Sequence, residues 1–149
     1  MNTQTQSVEK VSDVIQVMQA GIEFYDEAAK EFDNDSIKNT FQRMIVNKRA
    51  AIESLQPLAI AEQGDKETGT DWAVDARKMY TKFAGMMSSD ERYTYVNQLE
   101  EVEDKVLEAL DDAISADQPE PAMATLRTVK ARAQTMHDEM KALQNALEH

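Results

Sequence analysis

The chain has 149 residues, of which 42% are hydrophobic and 30% charged, a composition ordinary for one folded domain and unlike that of a disordered chain. Its 28 acidic residues outnumber its 16 basic ones, so the formal net charge is -12, and no Lys/Arg stripe offsets it. Binding to nucleic acid or to anionic lipid headgroups is therefore disfavoured. The absence of cysteine excludes disulfides, thiolate metal sites and thiol catalysis.

The apolar runs and the two ends of the sequence bear on location and domain organisation. No run approaches the ~18 apolar residues needed to span a bilayer, and residues 1–7 lack the charged and apolar regions of a signal peptide. We expect a cytoplasmic protein with a disordered tail at residues 1–7 and a helical bundle domain at residues 8–146. Residues 147–149, Leu-Glu-His, look like the remnant of an expression tag, which would leave His137 as the natural histidine.

A regular apolar seam marks the first predicted helix. Spacings of three and four residues alternate along it, as shallow-angle packing in a bundle requires, at Val8, Val11, Ile15, Met18, Ile22, Tyr25, Ala29 and Phe32. Ser7 is the predicted N-cap, and the polar residues 33–36 should end this helix and cap the next one. The second helix should run from about Ser36 to about Glu62, with Pro57 kinking or loosening it near its end.

Three further helices are predicted. A short helix should cover about residues 71–87, and residues 88–91 should cap a longer helix that reaches about Ala116. Residues 117–121 contain two prolines, which suit a first helical turn, and they should start a last helix that reaches about Ala146.

The order of these helices predicts an all-α, ferritin-like four-helix bundle. Two antiparallel helical hairpins, joined by a crossover that contains a short extra helix, are the plan of such a bundle. The scarcity of glycine and proline, with 4 and 3 residues, also favours long helices. An up-and-down bundle with a fifth helix packed alongside is the alternative.

Several stretches of the chain resemble ferritin-like and rubrerythrin-like proteins. They are the Gly21–Ala29 segment, the following Phe41–Arg43, the Glu100–Asp104 segment and His137 in the last helix. Together they look most like a bacterial ferritin-like four-helix-bundle family of unknown function, whose members are sometimes discussed with stress responses. The resemblance covers about residues 8–146.

This resemblance also implies where a metal centre would lie. A di-iron centre takes a Glu from each of two helices and a Glu-x-x-His pair from each of the other two. By similarity, the Glu of the first helix falls at Met18, and the pair of the second helix falls near Lys48 and Ala51. In the last helix Gln134 stands three residues before His137, where the pattern requires Glu. The pattern of a complete centre therefore fails.

Glu103 and His137 remain as candidate metal ligands. Two ligands do not make a catalytic site, so we expect no cofactor, with residual metal binding as the alternative. The plain interpretation of Glu103 is a buried acid paired with a base such as Lys48, because an unpaired buried acid costs several kcal/mol or takes up a proton. The plain interpretation of His137 is a satisfied or exposed helix histidine.

The remaining polar and sulfur-containing residues predict no further site. Acids that flank the apolar seams indicate a solvated face, among them Glu100, Glu101, Asp104 and Glu108. Most methionines lie at core positions, which favours core filling over a copper or heme site. No serine has a histidine and an acid at motif spacing, and no glycine-rich phosphate loop is present.

The sequence therefore predicts a non-enzymatic bundle that acts through its surface or by self-association, as a small stress-associated or accessory protein. A homodimer formed through the apolar stripe of the Trp72–Met87 helix, or another protein partner, is expected. A ferritin-type metal-dependent oxidase or iron-binding protein is the first alternative. The second is a small-ligand binder with a pocket near Lys48, Glu103 and His137.

Overall fold

The computed structural model describes residues 7–69 and 89–147, and these residues form four α-helices and no β-strand. The helices are α1 Val11–Ala29, α2 Asp35–Gln63, α3 Ser89–Ser115 and α4 Glu120–Leu147. No helix within these two ranges combines enough length with enough apolar character to cross a membrane. The all-α prediction is thus confirmed for the described residues. The predicted helix at 71–87 lies outside them, as do residues 1–6 of the predicted tail at 1–7 and residues 148–149 of the predicted tag remnant.

The start of α1 is set by a contact with α2. Its N-cap, Lys10, adopts a left-handed backbone conformation with φ 63° and makes no side-chain capping bond. Instead, Glu62 at the end of α2 accepts the backbone N–H groups of Val11 and Ser12, both at 2.9 Å. A carboxylate suits this place because it satisfies free N–H groups at the positive end of the helix dipole. The prediction of Ser7 as the N-cap was wrong, since α1 begins at Val11 and its first free N–H groups are satisfied by Glu62, which is distant in sequence.

The turn between α1 and α2 follows the sequence prediction more closely. Asn34 caps α2, its side chain accepting the N–H of Ile37 at 3.0 Å. α1 ends at Ala29, earlier than its seam suggested, but Phe32 is still buried beyond the helix end. The Phe32 ring meets Phe41 of α2 edge to face, with ring centroids 5.2 Å apart.

The end of α2 is set by a glycine. Pro57 lies inside the helix, which continues past it to Gln63. Gly64 then adopts the left-handed conformation, with φ 90°, and its N–H donates to the carbonyl of Ile60 at 2.8 Å. Glycine takes this conformation without a Cβ clash, so the helix ends here by a common C-terminal cap.

The helices pack in a ring around two core clusters. α1 packs against α2 and α3, and α4 packs against α3 and, more lightly, against α2. One cluster is rich in aromatic side chains and includes Phe24, Tyr25, Phe32, Phe41 and Tyr95. The other is aliphatic and includes Val14, Ile15, Leu55, Leu110 and Leu126. On each helix the residues of one cluster precede those of the other, so a boundary layer lies across the middle of the bundle.

The last turn of α4 closes the aromatic cluster. Leu147, which the predicted boundary at Ala146 left out, belongs to α4 and packs partly buried against that cluster. The buried Gln118 closes the opposite end, where it accepts the Glu9 N–H at 3.1 Å and donates to the Ala113 carbonyl at 2.8 Å.

Gly21 lies in the boundary layer, where α1 approaches α3 closely. A Cβ built there would lie 2.9 Å from Cγ1 of Val102 and 3.3 Å from Cε of Lys48. Carbon atoms pack best at about 3.5–4.0 Å, so a methyl group would have to displace one of these neighbours. The absence of a side chain at position 21 therefore sets the spacing of the helices here.

We expect Gly21→Ala to lower the free energy of unfolding by roughly 1–3 kcal/mol, as overpacked core substitutions do. This cost should outweigh the ~1 kcal/mol that alanine gains over glycine in helix propensity. Urea denaturation followed by circular dichroism measures the change. In a Val102→Ala background, which removes the nearest atom, the same substitution should cost little or stabilise. An equal cost in both backgrounds would show that the Val102 contact is not the cause.

Candidate functional site

A buried ion pair lies in the boundary layer between the two core clusters. Lys48 Nζ, from α2, donates to Oε2 of Glu103, from α3. The hydroxyl group of Tyr25, from α1, donates to the same oxygen at 2.5 Å. The Lys48 and Glu103 side chains are 4% and 1% exposed, and Tyr25 is fully buried. The prediction that Glu103 is a buried acid paired with Lys48 is confirmed.

The pair is held by more than its own two charges. Lys48 Nζ also lies 4.9 Å from the centroid of the Tyr25 ring, so the cation meets a π face as well as a carboxylate. Burial, the charge of Glu103 and the hydrogen bond to Glu103 raise the pKa of the Tyr25 phenol well above its ordinary value of 10.0. Tyr25 therefore stays neutral and donates. Oε1 of Glu103 is buried and has no hydrogen-bond partner among the described residues.

A small cavity adjoins the ion pair. The residues that line this cavity are Met18, Asn47, Lys48, Ala51, Glu103, Val106, Val129, Ala133 and Met136. Its volume is about 10 Å³. That is room for about one water molecule, whereas sites for small organic ligands occupy about 300–1,000 Å³. This cavity is therefore too small for an organic ligand.

A second polar cluster lies between α3 and α4, around His137. The Nε2 atom of His137 is 2.7 Å from Oδ1 of Asp104 and 3.1 Å from Oε2 of Glu100. Its Nδ1 atom is 3.3 Å from Oδ1 of Asp138, which also accepts a hydrogen bond from Gln134 at 3.1 Å. The Asp104 side chain is 52% exposed and that of Glu100 only 9%, so the cluster opens to solvent on the Asp104 side.

The burial of Glu100 corrects a sequence prediction. Glu100 was expected on the solvated face with its neighbours, and of these Glu101, Asp104 and Glu108 are indeed exposed. Glu100 is buried instead, because it lies on the side of α3 that α4 covers, where it contacts His137.

The acids around His137 decide its charge. Partial burial lowers the pKa of His137, but hydrogen bonds to Asp138 and Asp104 and the charges of Asp104 and Glu100 outweigh burial. The net result is a pKa raised above the ordinary value of 6.5. The hydrogen bond from Gln134 and the contact with His137 lower the pKa of the exposed Asp138.

The two predicted metal ligands have different partners. Glu103 contacts Tyr25 and Lys48 in the interior, whereas His137 contacts acids between α3 and α4. One ligand atom from each of Glu100, Asp104 and His137 lies within 4.8 Å of the other two. Sequence reasoning missed both acids as ligands, although their four-residue spacing places them on one helix face.

Residues 6–116 match the family model described as Domain of unknown function (DUF2383). The chain belongs to the DUF2383 family. The prediction of a family of unknown function with a four-helix, all-α structure is confirmed at that level. The DUF2383 match includes Tyr25, Lys48 and Glu103 and both acids of the surface cluster, and it ends before α4 and His137. No curated protein and no solved structure matches the chain.

We expect Glu103→Leu to lower the free energy of unfolding of this DUF2383 protein by about 3–5 kcal/mol, because the Lys48 ammonium group would be left buried without a counter-ion. Adding Lys48→Met should restore most of the loss, since an apolar pair of similar volume replaces the ion pair. Urea denaturation measures both. Glu101→Leu, at an exposed position of α3, should change the free energy by only about 0.5 kcal/mol. A neutral Glu103→Leu would contradict the buried pairing.

The raised pKa of Tyr25 predicts an alkaline loss of stability. Above the unfolded-state pKa of about 10, the folded chain keeps the phenol proton that the unfolded chain has released. The contribution of Tyr25 is therefore complete below that pH, and it is lost as the pH rises towards the folded-state pKa.

Tyr25→Phe should remove this part of the alkaline loss. Urea denaturation at a series of alkaline pH values should give a shallower decline for the variant than for the wild type. Before alkaline unfolding, the tyrosinate absorbance of the two folded proteins should rise equally, because Tyr25 does not ionise. A larger rise in the folded wild type would contradict the raised pKa.

Proposed function

We propose that this chain is a ferritin-like bundle that acts through its surface and not by chemistry at an interior metal centre. The buried ion pair of Lys48 and Glu103 carries this proposal. A divalent ion beside Glu103 would meet a buried ammonium group, and like charges repel strongly where the dielectric constant is low. Oε2 of Glu103 is also already engaged by Tyr25 and Lys48.

The contacts at the helix ends support the ferritin-like arrangement. Phe32, after α1, meets both Phe41 early in α2 and Tyr95 early in α3, which suggests that α2 and α3 begin at the same end of the bundle. The contact of Ser12 with Glu62 puts the start of α1 beside the end of α2. Helices α2 and α3 would then run in the same direction. That is a four-helix plan with one long crossover.

The walls of the interior cavity also support this fold. Met18, Lys48, Ala51 and Glu103, the positions that the resemblance assigns to metal ligands or their neighbours, all line the one cavity. They supply a thioether, an ammonium group, a methyl group and a single carboxylate. Because these four positions meet at one cavity, they support the ferritin-like alignment of the helices. Because only one of them is a carboxylate, they also support the absence of a di-iron centre.

The surface is then the part of the molecule available for function. Large exposed hydrophobic side chains are few in the described ranges, namely Val46 and Ile60 of α2, and the formal net charge is -12. Such a surface favours a protein partner with a basic face, because complementary charge guides association. A small accessory protein, of the stress-associated kind, fits these properties. Self-association through residues 71–87 is a further route that lies outside the described residues.

Metal analysis of protein made in iron-rich medium tests the proposal against the oxidase alternative. We expect no pair of iron or manganese ions whose presence depends on Glu103. Elemental analysis should compare the wild type with Glu103→Gln, which keeps the side-chain shape, and with Glu101→Gln as an exposed control on the same helix. Two metal ions per chain that disappear only in Glu103→Gln would overturn the proposal and establish an interior di-metal centre.

A further inference from the structure

We propose that Glu100, Asp104 and His137 bind one divalent first-row transition-metal ion at the surface between α3 and α4. This site uses none of the residues of the Tyr25–Lys48–Glu103 network. It is therefore separate from the interior position considered above.

The three side chains are placed for a shared ion. Glu100 and Asp104 are four residues apart on one face of α3, and His137 faces them from α4. Their ligand atoms all lie within 4.8 Å of one another, with His137 Nε2 2.7 Å from Asp104 and 3.1 Å from Glu100. Metal bonds of about 2.0–2.2 Å in a tetrahedral site put ligand atoms roughly 3.3–3.6 Å apart. To admit an ion, the half-exposed Asp104 side chain would have to move away from His137 Nε2, which its Oδ1 atom now approaches to 2.7 Å.

The burial of the Glu100 side chain is a separate observation that favours a bound cation. Its side chain is more than nine-tenths buried, and His137 Nε2 is the only basic group it contacts among the described residues. That nitrogen is also within hydrogen-bond distance of Asp104. Because a ring nitrogen carries at most one proton, it can donate to only one of the two carboxylates at a time. The buried Glu100 carboxylate therefore shares this nitrogen with Asp104, and a cation held by all three side chains would supply the positive charge that one shared proton cannot.

The ligand set selects the class of ion. One imidazole nitrogen and two carboxylate oxygens suit Zn²⁺, Mn²⁺, Fe²⁺ and related divalent ions. Ca²⁺ and Mg²⁺ favour sites built from oxygen alone, and Cu⁺ favours thiolate and thioether sulfur. Water completes the coordination on the open Asp104 side. An ion held in this way ties α3 to α4 and stabilises the folded chain by mass action.

Calorimetric titration with Zn²⁺ alone, and separately with Mn²⁺ alone, tests the site. The wild type should bind one Zn²⁺ per chain. His137→Ala should weaken binding by more than about a hundredfold, beyond the 10–100-fold typical of losing a residue that only supports a ligand. Glu100→Gln and Asp104→Asn should each weaken it as well. His149→Ala, which removes the other histidine of the chain, should bind as the wild type does.

Thermal unfolding with and without Zn²⁺ gives a second readout. The ion should raise the Tm of the wild type and leave that of His137→Ala unchanged. Because the Asp104 side chain is half exposed, we expect Asp104→Asn to fold normally. It can therefore test metal binding even if His137→Ala or Glu100→Gln fails to fold. No Zn²⁺ binding by the wild type, or undiminished binding by both His137→Ala and Asp104→Asn, overturns the surface site alone. Binding that is lost in Glu103→Gln and kept in His137→Ala overturns both this site and the proposed function.

Discussion

The buried ion pair of Lys48 and Glu103 constrains how the helices of this bundle meet. It lies in the boundary layer between the aromatic and aliphatic clusters. Two buried charges are tolerated only within bonding distance of each other, which leaves α2 and α3 one relative height. Tyr25 ties α1 to the same point, and Gly21 allows the close approach. We infer that the pair specifies register more than it adds stability, since apolar pairs often replace such ions without loss.

Sequence reasoning succeeded where the deciding signal is local. The apolar seams predicted the helices, and the polar residues 33–36 were predicted to cap α2. Asn34 is the residue that does so, because its short polar side chain reaches a free N–H group of the first turn. The Glu103–Lys48 pair was also predictable, since an acid on an apolar seam requires a base. The start of α1 was not predictable in this way, because the capping group is Glu62, from the end of another helix.

The surface cluster was missed for a geometric reason. Glu100 and Glu103 are three residues apart, so they point roughly 60° apart around α3. Glu103 faces the interior and Lys48, whereas Glu100 faces α4 and His137. A sequence pattern gives the centre of a buried stripe well and its edges poorly, because the edges depend on where the neighbouring helix crosses. Glu100 lies at such an edge, and it is buried only because α4 crosses α3 at that point.

Glu103 and Glu100, both on α3, have different cationic partners. This difference decides which part of the bundle can change its net charge with the surroundings. The cation beside Glu103 is the buried ammonium group of Lys48. Because it is covalently part of the chain, it cannot be replaced by another ion, and it has no redox chemistry. The cluster around Glu100 has a titratable imidazole, an open side and an exposed second carboxylate. Its net charge can change by gain or loss of a proton or an ion. We therefore propose that any response to conditions outside the protein takes place at the surface between α3 and α4, with the interior holding those two helices in place.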